Sequence, residues 1–71
     1  MPKLQNISAD KVIKVLKSAG YSISRQKGSH IILRKENRLI VVPNHKKLKI
    51  GTLLQIIKCS NLTKEEFENL L

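Results

Sequence analysis

The sequence predicts an α+β fold in the order α-β-β-β-α, followed by a short C-terminal helix. Apolar residues recur at helical spacing near both ends of the chain, the middle alternates between apolar and polar residues, and short turn sequences divide that middle part into three segments. Three strands joined by short turns form an antiparallel sheet, and two apolar helical faces need a shared surface on which to bury. We therefore expect both main helices on one face of the sheet and an open face on the other side.

The composition limits the class of protein. The 71 residues are enough for one domain, predicted to span 1–71, and a 41% hydrophobic content is typical of a folded chain. The single cysteine, Cys59, cannot form an internal disulfide and is expected to be a buried, reduced thiol in a cytoplasmic protein. No apolar run is long enough for a membrane span or a signal-peptide core. A secreted disulfide scaffold, a membrane protein and a large multidomain enzyme are excluded.

The first helix has a clear beginning and end. Ser8 is a suitable N-cap, Asp10 lies in the first turn where the helix dipole favours negative charge, and Gly20 ends the helix. Pro2 and Lys3 precede it as a loose lead-in. The apolar stripe that predicts its buried face consists of Ala9, Val12, Ile13, Leu16 and Ala19.

The first strand is predicted over residues 21–27, where side chains of different character alternate. Strict alternation places Tyr21 and Ile23 on one face. Arg25 and Lys27 share that face by the same rule. This face of the strand is therefore expected to be apolar at one end and basic at the other.

Two more strands are predicted, each after a short turn. A turn at 28–29 leads into a second strand over 30–35, and a turn at 36–37 leads into a third strand over 38–42, which is rich in β-branched residues. Pro43 ends the third strand because it has no N–H to donate to the ladder. In the second strand, one face is predicted to carry Ile31 and Leu33, and the other His30, Ile32 and Arg34.

The last third of the chain is predicted to contain a basic loop and two helices. Residues 44–49 form the loop, and the second helix follows it to about Cys59. Its predicted buried stripe is Ile50, Leu53, Leu54 and Ile57. Thr63 and Glu66 form a capping box that begins a short last helix. The apolar face of that helix is predicted to be Phe67, Leu70 and Leu71.

Positive charge is concentrated in the middle of the chain. The formal charge is +9, and residues 21–50 carry eight basic residues and one Glu, whereas residues 51–71 carry two Lys and three Glu. A polyanion relieves the self-repulsion of such a surface by exchanging counterions. Nucleic acid is therefore the first partner to consider, and an acidic protein surface is the second. A basic surface that only maintains solubility is the remaining alternative.

Few side chains are available for chemistry. The sequence has no paired carboxylates, no Cys and His at zinc spacing, no Gly-rich loop between a strand and a helix, and no Asp placed to complete a triad with Ser29 and His30. We accordingly expect no metal and no cofactor. Tyr21 and Phe67 are the only Tyr, Phe or Trp residues, so almost no side chains are available on which bases could stack.

His30 is the main catalytic candidate, and it directly follows the predicted turn at 28–29. An imidazole can accept or donate a proton near neutral pH, and RNA carries its own nucleophile, the 2′-OH. Cations beside such a base would stabilise the charge that develops on the phosphate. Arg34 is predicted to share a face with His30, and Arg25, Lys27 and Lys35 are expected to be close to it along the hairpin. The alternative is an ordinary polar histidine on the surface of a strand.

The loop before the second helix is a candidate phosphate contact. His45 follows Asn44, and Lys46, Lys47 and Lys49 lead into the start of a helix, where free N–H groups suit a phosphate. We expect His45 to contact backbone or phosphate rather than to act as a second catalyst. A solvated loop is the alternative.

Together, these motifs resemble the HicA family of bacterial and archaeal toxins, which are the RNA-cleaving halves of toxin–antitoxin pairs. The resemblance covers nearly the whole chain, and a Gly-Ser-His step, a Val-Pro turn and a Lys-x-Gly-Thr-Leu segment form a fairly specific combination. The matching segments are residues 19–21 (AGY), 25–30 (RQKGSH), 42–45 (VPNH) and 48–53 (LKIGTL).

The resemblance implies a fold like that of a double-stranded-RNA-binding domain, ribosome-independent cleavage of mRNA, and neutralisation by a HicB antitoxin that covers the active surface. The family's catalytic histidine falls on His30, and Gly28 and Ser29 match the positions that shape its turn. Many members carry a polar residue or histidine after the catalytic position, whereas this chain has Ile31. That departure is expected to alter substrate contacts.

The first hypothesis is a metal-independent endoribonuclease toxin with His30 as general acid/base. The RNA-binding residues are predicted to be Arg25, Lys27, Ser29, Arg34, Lys35, His45, Lys46, Lys47 and Lys49. The second hypothesis is a non-catalytic module that recognises RNA shape and phosphates. The third is an interaction protein whose basic surface serves only an acidic partner.

Overall fold

The computed structural model describes residues 6–71 and has the predicted α+β architecture. Pro2 and Lys3, predicted as a lead-in, lie outside the described residues. The elements follow the predicted order and confirm the likeness to a double-stranded-RNA-binding domain. They are α1 (Ala9–Ser18), β1 (Ser22–Lys27), β2 (His30–Lys35), β3 (Arg38–Pro43), α2 (Ile50–Cys59) and α3 (Lys64–Leu70).

α1 begins and ends where its local sequence requires. The Ser8 hydroxyl accepts a hydrogen bond from the Lys11 N–H at 3.3 Å, which satisfies one of the free amides of the first turn. Gly20 has φ +100°, the left-handed conformation that lets the chain leave the helix. The residues of α1 that are buried are Ala9, Val12, Ile13, Val15 and Leu16, so the predicted stripe is largely confirmed.

The three strands form one antiparallel sheet in the order β1-β2-β3. One face packs under the helices, and both α1 and α2 contact β3. The sheet residues buried on this covered face are Ile31, Leu33, Ile40 and Val42. The other face is open, as predicted. Within residues 6–71, no helix has the length and apolar character needed to cross a membrane.

A β-bulge in β1 overturns the predicted alternation of that strand. Ile23 pairs with Leu33, but the next paired residue is Arg25, opposite Ile32, so Ser24 is an extra residue without a partner. Residues directly opposite each other point to the same face. Arg25 and Lys27 therefore share the open face, whereas Ile23 lies on the covered face; the prediction that all three share one face is wrong.

The helical phase of α2 also differs from the prediction. Its buried apolar residues are Leu53, Ile56 and Ile57, whereas Ile50 and Leu54 are exposed. The apolar residues of α2 cover a wider arc than one helix face can bury, and packing against β3 and α3 selected the side with Ile56. Cys59 is exposed, so the prediction of a buried thiol is wrong.

α3 completes the core from the end of the chain. Thr63 and Glu66 form the predicted capping box, with both hydrogen bonds present. Phe67 is fully buried and is the largest such side chain among the described residues. Leu70 and Leu71, predicted to share its apolar face, remain partly exposed because α3 ends at the edge of the core.

Candidate active site

The open face is a grid of nine side chains, which the pairing registers define. The first row lies beside the Gly28 turn, and the third lies at the opposite end of the sheet. The rows are Lys27, His30 and Pro43; then Arg25, Ile32 and Val41; then Ser22, Arg34 and Leu39. We call Arg25 and Lys27 of β1 the basic column, and Leu39, Val41 and Pro43 of β3 the aliphatic column. The middle strand carries His30 between the two columns.

His30 is the first residue of β2 and is exposed on the open face. Its directly opposite neighbour on β1 is Lys27, and Arg34 lies on the same face of β2. The turn that precedes His30 has two residues, and Gly28 supplies the positive φ of +59° that a tight hairpin turn requires at its first position. The imidazole is therefore solvent-accessible and is carried by a β-strand position directly opposite Lys27.

The open face carries positive charge without any carboxylate among its nine positions. Arg25, Lys27 and Arg34 are its three cations. The Nε atom of Arg34 donates to the Glu36 carbonyl at 3.0 Å, which fixes the orientation of the guanidinium group. An anion that approaches His30 therefore meets the cations of β1, whereas Arg34 lies at the opposite end of the open face.

The loop at 44–49 is tied to the turn that carries the predicted catalytic residue. The Asn44 N–H donates to the Ser29 carbonyl at 2.6 Å, so the loop begins beside this turn. The His45 N–H donates to the Pro43 carbonyl at 2.9 Å, and the His45 carbonyl accepts from the Ala9 N–H at 3.0 Å. These backbone bonds hold the loop, while the side chains of the remaining predicted residues, His45, Lys46, Lys47 and Lys49, are exposed.

Lys35 does not join the other predicted site residues. It lies at the far end of β2 and on the covered face, where its Nζ donates to the Ala19 carbonyl at 2.8 Å. The same ammonium group lies 5.7 Å from the centroid of the Tyr21 ring. The expected proximity of Lys35 to His30 is therefore wrong, because the two lie at opposite ends of a six-residue strand and their side chains leave opposite faces.

The aliphatic column belongs to the same face as His30, and sequence reasoning did not single it out. Leu39 is 62% exposed and Val41 is 48% exposed. Every residue from Leu39 to Val42 is apolar, so β3 has no alternation that would distinguish its two faces. The available signal was this apolar run in an edge strand. Because the sheet is covered on one face only, some of these side chains had to remain exposed.

Over residues 6–71, no group of three His, Cys, Asp or Glu side chains is close enough to share an ion. What the open face offers is one imidazole, three cations and an aliphatic column. These groups suit proton transfer beside a bound anion.

The comparison with protein families matches most of the chain, including the segments that form the open face. Residues 9–62 match the family described as the HicA toxin of bacterial toxin–antitoxin systems, and this range includes the whole sheet and the loop at 44–49. No curated protein matches the chain. A toxin of such a system implies an antitoxin as its partner. With three-quarters of its residues matched, the chain belongs to the HicA toxin family.

Proposed function

We propose that this toxin is an endoribonuclease that cleaves mRNA in the cytoplasm, without a metal ion, and thereby blocks translation. His30 is the general acid/base. The observation that carries the proposal is the exposed imidazole of His30 directly opposite Lys27, on a face that holds three cations and no carboxylate. A histidine that only contacted solvent would not require this arrangement.

The reaction follows from the chemistry of RNA. The imidazole of His30 takes the proton of a ribose 2′-OH, and the 2′ oxygen attacks the adjacent phosphorus. The bond from phosphorus to the 5′ oxygen breaks, and the leaving oxygen receives a proton from the imidazolium or from water. The products are a 2′,3′-cyclic phosphate and a free 5′-hydroxyl, and no metal or cofactor enters the balance.

The cations have separate roles in this scheme. Lys27, directly opposite His30, stabilises the negative charge that develops on the phosphate under attack. Arg25 and Arg34 hold neighbouring phosphates of the strand. Ser29 shapes the turn, since its carbonyl accepts the Asn44 N–H. The side chains that extend the RNA track beyond the sheet are His45, Lys46, Lys47 and Lys49. Lys35 is left out, because it faces Ala19 on the covered side.

The decisive experiment compares His30→Ala with His45→Ala. We expect His30→Ala to abolish RNA cleavage and growth arrest and to leave the thermal unfolding temperature unchanged, because the side chain is exposed. His45→Ala should retain cleavage with weaker RNA binding. Cleavage that persists in His30→Ala, with the same product ends, would show that another group is the catalyst.

A chelator and a gel assay separate the remaining hypotheses. Cleavage should continue in EDTA, and mass spectrometry should find 2′,3′-cyclic phosphate ends; loss of cleavage in EDTA would reject the metal-free mechanism. RNA that the native chain shifts intact would instead support the non-catalytic RNA-binding module. No measurable RNA affinity at low salt would support the third hypothesis, a basic surface that serves only an acidic protein.

The antitoxin partner is proposed to be an acidic protein of the HicB type that covers the open face. The cations of that face and the formal charge of +9 favour a partner with carboxylates at the contact. Addition of such an antitoxin should stop RNA cleavage. Arg25→Gln should weaken the complex, whereas Lys14→Gln, on the exposed side of α1, should not.

A further inference from the structure

We infer that the open face is built for an unpaired stretch of RNA, whose phosphates lie on the basic column and whose bases lie on the aliphatic column. The inference rests on the proposed function and adds the structural class of the substrate. The juxtaposition that carries it is Arg25, Ile32 and Val41 in one row across the sheet, directly beside the row of His30.

Phosphate binding alone does not account for the aliphatic column. Leu39 and Val41 are 62% and 48% exposed, in a chain with a formal charge of +9 that is otherwise rich in exposed lysines. Together with the half-buried Pro43, they occupy three successive positions of one strand face and form a contiguous apolar strip, which is typical of a binding surface. The strip begins at Pro43, the direct neighbour of His30, so it adjoins the proposed reaction centre.

The spacing of the strands suits one nucleotide. Neighbouring strands lie about 4.8 Å apart, so the basic column and the aliphatic column are separated by about 10 Å. A nucleotide of an extended strand spans a similar distance from its phosphate to the far edge of its base. With a phosphate at the basic column, the ribose lies above the middle strand, where His30 is, and the base reaches β3.

A duplex would not satisfy both columns. The bases of a double helix are stacked and paired inside, and its surface presents phosphates and hydroxyl groups. The aliphatic column would then be buried against charged phosphate oxygens, and this contact contributes no favourable free energy. The backbone of an unpaired strand can also rotate until the 2′ oxygen is in line with the bond from phosphorus to the 5′ oxygen. A regular double helix holds the 2′ oxygen out of line with that bond.

The character of the aliphatic column also predicts how bases are selected. The aliphatic column contains no aromatic ring, and Leu39, Val41 and Pro43 have no side-chain donors or acceptors. Bases are therefore held by apolar contact with their faces rather than read by hydrogen bonds at their edges. We expect weak base preference at the positions bound by this column.

The test uses two exposed aliphatic residues on opposite faces. Val41→Thr and Ile23→Thr are built in the His30→Ala background, so that RNA remains intact; the two side chains are 48% and 47% exposed. Val41→Thr should weaken binding of an unpaired oligonucleotide about fourfold, the loss for one methyl group removed from an apolar contact. Ile23→Thr, on the covered face, should bind as tightly as the background. Equal effects of the two substitutions would overturn the inference.

A second measurement asks which RNA the native chain cuts. In a hairpin RNA labelled at one end, cleavage should fall in the loop and spare the stem. Cleavage of stem and loop alike would overturn the inference while leaving the proposed endoribonuclease intact. No cleavage and no RNA binding at all would instead defeat the proposed function. If Val41→Thr weakens antitoxin binding but not RNA binding, the aliphatic column is a protein interface and the inference is wrong.

Discussion

Single residues control how the imidazole of His30 is presented. Gly28 occupies the left-handed region at φ +59°, and Ser29 accepts the Asn44 N–H that joins the turn to the loop at 44–49. A Cβ at Gly28 would meet no atom within 4 Å, so conformation rather than space requires glycine there. The position of His30 therefore depends on a backbone conformation that other residues adopt at a cost.

We predict opposite effects for alanine at two glycines. Gly28→Ala should lower the free energy of unfolding by about 1 kcal/mol, because a side chain disfavours positive φ. Gly51→Ala should raise it by up to about 0.5 kcal/mol, because Gly51 lies in the first turn of α2 with open space around it. Urea unfolding measures both. Stabilisation by Gly28→Ala would contradict the turn geometry described here.

At the scale of elements, two features determine the site and the core. The bulge at Ser24 lets β1 direct Ile23 to the covered face and Arg25 to the open face within one short strand. α3 lies beyond the residues matched by the family, which end at residue 62, yet it supplies Phe67 to the core. The bulge places a positive charge on the open face, and α3 adds buried apolar area to a small domain.

Exchange of two neighbouring residues tests the bulge. The double substitution Arg25→Gln with Gln26→Arg preserves composition and net charge but moves the guanidinium group to the covered face. RNA affinity, measured in the His30→Ala background, should fall by up to about fivefold, the contribution of one exposed charge contact. Unchanged affinity would mean that the face of the cation is irrelevant. The same unfolding temperature before and after the exchange serves as the control for folding.

Removal of the Phe67 side chain should nearly unfold the protein. Phe67→Ala is expected to cost about 3–5 kcal/mol, most of the stability of a domain of this size. Leu70→Ala, in the same helix but 38% exposed, should cost less than about 1 kcal/mol. Denaturant titrations distinguish the two variants. A small effect of Phe67→Ala would show that α3 does not contribute to the core.

For the whole molecule, the location of the charge matters more than its total. The chain has 14 basic residues, but the open face holds three of their side chains, and the loop at 44–49 adds three lysines. Three of the five acidic residues belong to the last helix, which contacts α1 and α2, and none lies on the open face or in this loop. RNA binding should therefore release fewer counterions than the composition suggests.

The salt dependence of RNA binding measures how many counterions are released. In the His30→Ala background, the logarithm of affinity against the logarithm of salt should have a slope of about −2 to −4, for three to six phosphate contacts with a single strand. Lys27→Gln should reduce its magnitude by about 0.7, whereas Lys14→Gln should not change it. A slope near −10 would mean that all basic residues contribute and that no face is preferred.

The sequence by itself determined the order and the ends of the elements, because those depend on nearby residues. The Ser8 cap, the turn at Gly28 and the capping box at Thr63 are each set by contacts within a few positions, and each is confirmed. The placement of His30 and Arg34 on one face of β2 also follows from local alternation, and the structure agrees. The catalytic and RNA-binding roles of these residues stay predictions.

The tertiary structure alone decided which side chains meet. The bulge at Ser24 arises from pairing with β2, so the sequence pattern of β1 alone could not reveal that Arg25 joins the face of His30. The exposure of Leu54 and of Val41 depends on which sides the neighbouring elements cover, because α2 and β3 both carry apolar residues on more than one side. Register and coverage are properties of contacts between distant residues, whereas hydrophobic periodicity reports only on neighbours along the chain.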